Sequence, residues 1–367
     1  MNHLSKLLPV VVLIALAAFP LVGDAYYIGL AIKVMIYAMF ALSLQLLVGG
    51  AGLISLGHAA FFGIGAYAAA LLSPESEAGG LIWLLAAALA FAALYALITG
   101  ALALRTRGVY FIMVTLAFSQ MAYYVFHDTD IGGGSDGIYL YFRPQVSLAG
   151  WMPFDLDEPG TYYMFVVICL ALTWGFLALL ARSPFGAALT GIRLNEQRMR
   201  AAGYSTFPYK LTAYVIGATL AGLAGFLYAL KDGFVTPELL TWEQSGLVLL
   251  MVILGGMHSL GGAVLGTVTL ILLQELFQSQ ALFGDYAKHW HLPLGLAIIA
   301  LVALLPNGLA GIPAQWRARR AARDPATTSE ALDTEEASDD RAATISAGSP
   351  DPVARHTSIP QPGGPHV

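Results

Sequence analysis

Charge is what this sequence lacks most. Charged residues make up 11% of its 367 residues and hydrophobic ones 57%, with a mean hydropathy of +0.70. A soluble domain carries about a quarter charged residues, so water is excluded as the solvent for most of this chain. Cysteine is almost absent too: Cys169 is the single one, it lies in an apolar run, and an internal disulfide is excluded. Intramembrane acids are equally scarce. Only Glu243 and Glu275 stand near the ends of apolar runs, whereas a proton- or sodium-driven transporter usually holds carboxylates inside the membrane to carry its ion. There is no HExxH metal pair, no Gly-x-Ser-x-Gly nucleophile turn and no cluster of catalytic carboxylates, so neither a catalytic residue nor a metal site is assigned. The glycine-rich stretch Thr129-Asp-Ile-Gly-Gly-Gly-Ser-Asp-Gly137 lacks the Lys-Ser or Lys-Thr of a phosphate-binding loop and is not a nucleotide site.

What is present is membrane-length apolar sequence. Runs near 7–22, 28–48, 53–72, 81–104, 109–126, 161–181, 211–230, 244–257, 259–277 and 292–309 predict about ten spans, and hence an all-α polytopic protein with glycine-rich interrupted helices. If the spans alternate, Lys6, Arg105, Arg107, Arg182, Arg193, Arg198, Arg200, Lys210 and the cluster Arg317 to Arg323 fall on one side. The acids Glu75, Glu77, Asp128, Asp130, Asp136, Asp155, Asp157 and Glu158 fall on the other. The positive-inside bias then predicts both termini in the cytoplasm. The first run also fits the core of a cleaved signal peptide, which would leave nine spans and an external N-terminus. Lys33, inside the second run, is expected to snorkel rather than bind solute. From about Pro325 the composition turns to Ala, Thr, Ser, Asp, Glu, Pro and Gly, too polar to offset the entropy of ordering. The organisation read from this is a transmembrane domain over 1–312 and a basic juxtamembrane stretch with a disordered tail over 313–367.

Three segments carry finer detail. Ser183 to Gly203 is polar and basic between two apolar runs. Ser183 is placed to cap a helix with Pro184 at its first position, Gly191 to interrupt it, Asn195 to cap a second helix and Gly203 to end that one in the left-handed conformation. A loop that merely orients the chain would not need this order of caps and stops, which predicts a folded surface for a partner. In Gly49 to Tyr67, glycines precede an apolar run and the polar members are Ser55 and His58. Irregular backbone at membrane depth must be covered by protein or line a cavity, so this stretch predicts a path or a tight helix contact. For His58 a packing role and a functional one stand side by side. Leu254 to Gly266 echoes it, Gly-Gly followed shortly by Ser-Leu-Gly, which suggests an internal duplication.

These residues resemble a known family, the membrane permeases of bacterial ABC importers for branched-chain and other hydrophobic amino acids. The resemblance runs to about Ile312. It rests on Ile54 to Tyr67, Arg107-Gly-Val-Tyr-Phe-Ile-Met-Val-Thr-Leu-Ala117, Gly133-Gly-Ser-Asp-Gly137, Gly191-Ile-Arg-Leu-Asn-Glu196 leading to Gly203, Leu220-Ala-Gly-Leu-Ala-Gly-Phe-Leu-Tyr228 and Leu305-Pro-Asn-Gly-Leu309. It implies an inner-membrane permease subunit paired with a homologous permease, two cytoplasmic ATP-binding subunits and an external solute-binding protein, with no nucleic-acid partner. ATP and magnesium would be used by the ATP-binding subunits and no cofactor by this chain. Within the cytoplasmic coupling loop 182–210, the segment from Arg193 to Gly203 then resembles a coupling helix, with Arg193, Asn195, Glu196, Arg200 and Gly203 as coupling residues. Ser55, Gly57, His58 and Thr115 would border the translocation pathway, and Gly133, Ser135 and Asp136 an external loop. Where many relatives follow the Asn-Glu pair with an apolar residue and alanines, this chain has Gln197, Arg198 and Arg200. Such variants resemble permeases for urea and short amides, which stands as the alternative substrate class.

Overall fold

The computed structural model describes residues 16, 19–21, 24–74, 76–145, 156–305 and 308–311, and these are mostly helical. Most of the first apolar run, Lys6, Glu75, Asp155 and everything from 312 onward lie outside the described residues, and so does the expected placement of both termini. The principal helices are α1 (Ala25–Gln45), α2 (His58–Leu72), α3 (Leu81–Ala103), α4 (Val109–His127), α5 (Pro159–Arg182), α6 (Pro184–Leu194), α7 (Glu196–Ala201), α8 (Thr206–Asp232), α9 (Trp242–Gly255), α10 (Leu260–Gln278) and α11 (His291–Leu304).

Among the described residues, seven helical stretches are long and apolar enough to cross a membrane, and two shorter apolar helices, α2 and α9, accompany them. At 15 and 14 residues the short pair reach only about 22 Å, less than the ~30 Å hydrocarbon core. The expected span over 53–72 is therefore corrected: its helix starts only at His58. Gly52 sits at φ +70 in the left-handed region, and the chain from there to Gly57 is not helical. Ahead of it α1 ends in a π-helical turn, Leu46–Ala51. π-turns inside long helices often mark functional sites.

Helix α8 sits at the centre, packed on α1, α2 and α3, while α1 also meets α5, α9 and α10. Without a hydrophobic driving force between spans, association depends on close backbone approach. Glycine supplies it at the α2–α8 contact, where a Cβ on Gly225 would meet the carbonyl of Phe62 and one on Gly65 the carbonyl of Gly222. The run Leu220-Ala-Gly-Leu-Ala-Gly is thus a packing stripe. On the periphery, Ile82, Trp83 and Leu94 of α3, Tyr110 and Met113 of α4, Leu172 and Leu179 of α5 and Leu292 of α11 are exposed. Such faces are stable only against lipid or another subunit.

Buried hydroxyls repair the irregular backbone. The N–H of Ala59, one of the donors left free at the start of α2, donates to Ser245 Oγ of α9 at 2.9 Å. Ser119 donates to the Leu240 carbonyl at 2.8 Å, while Tyr95, only partly buried, ties α3 to the regular helix α4 through the Phe118 carbonyl at 2.7 Å. At the far end of α8 a two-stranded antiparallel pair, β1 (Ile138–Tyr139) with β2 (Phe234–Val235), joins the loop after α4 to the loop after α8.

Candidate functional site

The segment from 183 to 206 is folded by its own caps. Ser183 Oγ accepts from the Gly186 N–H at 3.3 Å, with Pro184 at the first helical position of α6. Asn195 Oδ1 accepts from the Arg198 N–H at 2.9 Å and opens α7. Gly203, at φ +88, ends α7: its N–H donates to the Arg200 carbonyl and the Tyr204 N–H to the Met199 carbonyl, both at 3.0 Å. That bond pair is the Schellman motif, and it needs the left-handed residue that glycine adopts without penalty. Gly191 is a correction. It does not interrupt α6, which runs through it to Leu194. Its lack of a side chain instead lets α7 close down, since a Cβ there would lie 2.8 Å from Met199 Sδ.

Glu196 is the hub of this loop. Its carboxylate accepts from Arg200 Nη2 at 2.5 Å, Lys210 Nζ at 2.6 Å and Thr206 Oγ1 at 2.9 Å, and Arg200 Nε also donates to Thr206 at 3.1 Å. Partial burial opposes its ionisation. The hydrogen bonds from Lys210 and Thr206 and the charges of Lys210 and Arg200 overcome that, holding the carboxyl at about 2. Glu196 and Arg200 thus staple α7 to the first turn of α8. Arg193 faces inward as well: its guanidinium donates to the Gly49 carbonyl at 2.5 Å, and its Cγ would lie 2.9 Å from a Cβ on Gly52. The outward face is different. Leu194 (76% exposed), Gln197, Arg198, Tyr204 and Phe207 lie open to solvent, an apolar and basic mixture. A cavity of about 320 Å³ separates the loop from the first helix break, lined among others by Gly52, Arg107, Phe111, Arg193 and Lys210.

Ser55, Gly57, His58 and Thr115 come together, all buried inside the subunit. A Cβ on Gly57 would meet the Thr115 carbonyl, and Thr115 Oγ1 donates back to Ile112 in its own helix at 2.9 Å. Ser43 donates its proton to the Phe40 carbonyl at 2.6 Å and so accepts from His58 Nε2 at 2.8 Å. The His58 ring stacks on Phe40, and its Nδ1 has no partner among the described residues. The arrangement is a tight joint that holds the start of α2 against α1 and α4.

The loop Gly133 to Gly137 is tied to the fold by its backbone. Gly133 and Gly137 adopt φ of +70 and +73, and a Cβ on Gly137 would meet the Val235 carbonyl. Ser135 and Asp136 are exposed and joined by a 3.3 Å bond. The two glycine-rich echoes also meet: a Cβ on Gly49 would collide with the Met257 carbonyl, to which Gln45 Nε2 at the end of α1 donates at 2.6 Å. They are not equivalent, because Ser259 caps α10 by accepting from Gly262 at 2.9 Å, while Ser55 accepts from Gly57 at 3.3 Å and caps nothing. Sequence reasoning missed Lys210, Thr206, Gln45 and Leu194. Only Leu194, a lone large apolar residue among polar neighbours, carried a local signal.

The family profile described as the permease component of branched-chain amino acid transport systems matches residues 26–305. The high-affinity branched-chain amino acid transport system permease protein LivM of Escherichia coli is 32% identical over 324 residues, 83% of this chain and 75% of that protein. LivM of Salmonella typhimurium is 33% identical over the same shares. An autoinducer 2 import system permease protein, LsrC of Photorhabdus laumondii, is 28% identical over 149 residues, 40% of this chain and 42% of that protein. No solved structure matches the chain.

Proposed function

Because the chain belongs to the family of branched-chain amino acid transport permeases, we propose that it moves branched-chain or other hydrophobic amino acids across the bacterial inner membrane. It is a multi-pass permease subunit of an ABC importer. In our reading it works with a homologous permease, two ATP-binding subunits that use ATP and magnesium, and an external solute-binding protein.

The observation that carries the mechanistic part is the loop from Pro184 to Tyr204, capped at both helix starts and stapled to the bundle by Glu196 while Leu194 and Arg198 stay exposed. A rigid, partly apolar and partly basic knob is what a docking element needs, since ordering it on contact would cost affinity. We assign the ATPase contact to Leu194, Gln197, Arg198 and Tyr204. Arg193, Glu196, Arg200 and Gly203 shape and anchor it. Solute would cross along the face shared with the partner permease, and the joint of Ser55, Gly57, His58 and Thr115 would hold the broken helix that borders it. Binding along that path should be weak, because ATP-driven switching must change the exposure of a site, not trap its occupant.

The alternative substrate class is urea or short amides. The arginines that suggested it are engaged with Glu196, for Arg200, or open to solvent in the docking loop, for Arg198. Uptake of labelled leucine and of labelled urea by cells with and without this chain tests the substrate. Loss of leucine uptake with urea unchanged is the expected result; the reverse pattern would reassign it to amides.

A further inference from the structure

We propose that Arg193 and Gln45 form a tether that transmits movement of the coupling loop to both helix breaks, with Gly49 as its junction. This rests on the docking reading above. Gly49 lies in the π-helical turn Leu46–Ala51 that ends α1. The last carbonyls of a helix have no partner within it, and Arg193, reaching across from α6, donates to that of Gly49. A cation at a helix C-terminus also meets the negative end of the helix dipole.

On its other side, Gly49 is pressed against the second break. A Cβ there would collide with both Gln45 Nε2 and the Met257 carbonyl, the pair joined by the 2.6 Å bond from the end of α1 to the turn before α10. The loop, the end of α1 and the turn before α10 thus converge on one backbone position. No side chain fits between them, so displacement of one is felt by the others.

A tether works only if its attachment has room to move and its far end has a second arrangement available. Arg193 has that room, since it lines two cavities, the one of about 320 Å³ and another of about 200 Å³ shared with Gln45, Gly49, Thr190 and His258. Gln45, whose Oε1 is buried and has no donor among the described residues, lines the second. In this proposal the π-turn is the two-state element, its extra residue shifting along the helix end without unfolding it. Arg193 is therefore a positioning residue that acts through the Gly49 carbonyl, and it makes no contact with solute or nucleotide in this scheme.

The test uses the complete importer in proteoliposomes and reads transport per ATP hydrolysed alongside co-purification of the ATP-binding subunits. Arg193→Ala should retain those subunits at full stoichiometry yet lower transport per ATP by about tenfold, the order expected for losing one charge-assisted hydrogen bond from the coupled step. Arg193→Lys, which keeps one donor at that reach, should recover part of the loss. Wild-type transport per ATP in Arg193→Ala would overturn the tether, and so would loss of the ATP-binding subunits, which would make Arg193 a docking contact. The double variant Leu194→Ala, Arg198→Glu separates the two ideas. It should release the ATP-binding subunits, and full retention would overturn the docking reading on which the tether rests.

Discussion

Replacing Glu196 by Gln keeps the shape of the side chain and removes its charge. At neutral pH the carboxylate accepts from Arg200, Lys210 and Thr206 at 2.5, 2.6 and 2.9 Å. The fall in its pKa from 4.5 to about 2 would correspond to about 3 kcal/mol for a shielded group. Its side chain is 22% exposed and that of Arg200 47%, so screening lowers the expected local stabilisation to about 1–2 kcal/mol. The folded value lies below the unfolded one. The contribution is therefore complete above pH about 4.5 and lost as pH falls towards 2. Hydrogen exchange of the amides of 198–204, read at pH 7 on the detergent-solubilised protein, should speed up about 5- to 30-fold in Glu196→Gln. Distant amides in α2 and α3 should not change. In the unsubstituted protein the same amides should loosen only below pH 4.5. Unchanged exchange in the variant, or loosening already at pH 6, would refute the staple.

Two further substitutions probe the joints. Gly225→Val would drive a Cβ into the Phe62 carbonyl where α2 and α8 cross; we expect a loss of at least about 1–3 kcal/mol, seen as a lower melting temperature of the purified subunit, and an unchanged melting point would mean the contact is looser than described. His58→Gln retains a donor to Ser43 Oγ and should leave the pH dependence of transport as it is in the unsubstituted importer; a shifted pH profile would instead make His58 a proton-handling residue.

The membrane class of this chain, its helical secondary structure and the caps and stop of the loop after α5 were legible in sequence, because each depends on local rules. Apolar runs set the spans through the cost of burying an unpaired peptide in lipid. Ser183, Pro184, Asn195 and Gly203 set the loop through caps and a left-handed stop that act within four residues. Gly191 misled because glycine has two uses, backbone freedom and absence of bulk, and only the presence of Met199 against it decides for the second. Likewise, nothing local distinguishes Arg193 from Arg198. One reaches Gly49, 144 positions away in sequence, and the other points to solvent. The inward partners of Glu196, the burial of His58 and the convergence on Gly49 all depend on which helices lie side by side. Tertiary packing alone decided them, since a side chain's charge or hydroxyl is readable in sequence but its partner is a matter of distance in space.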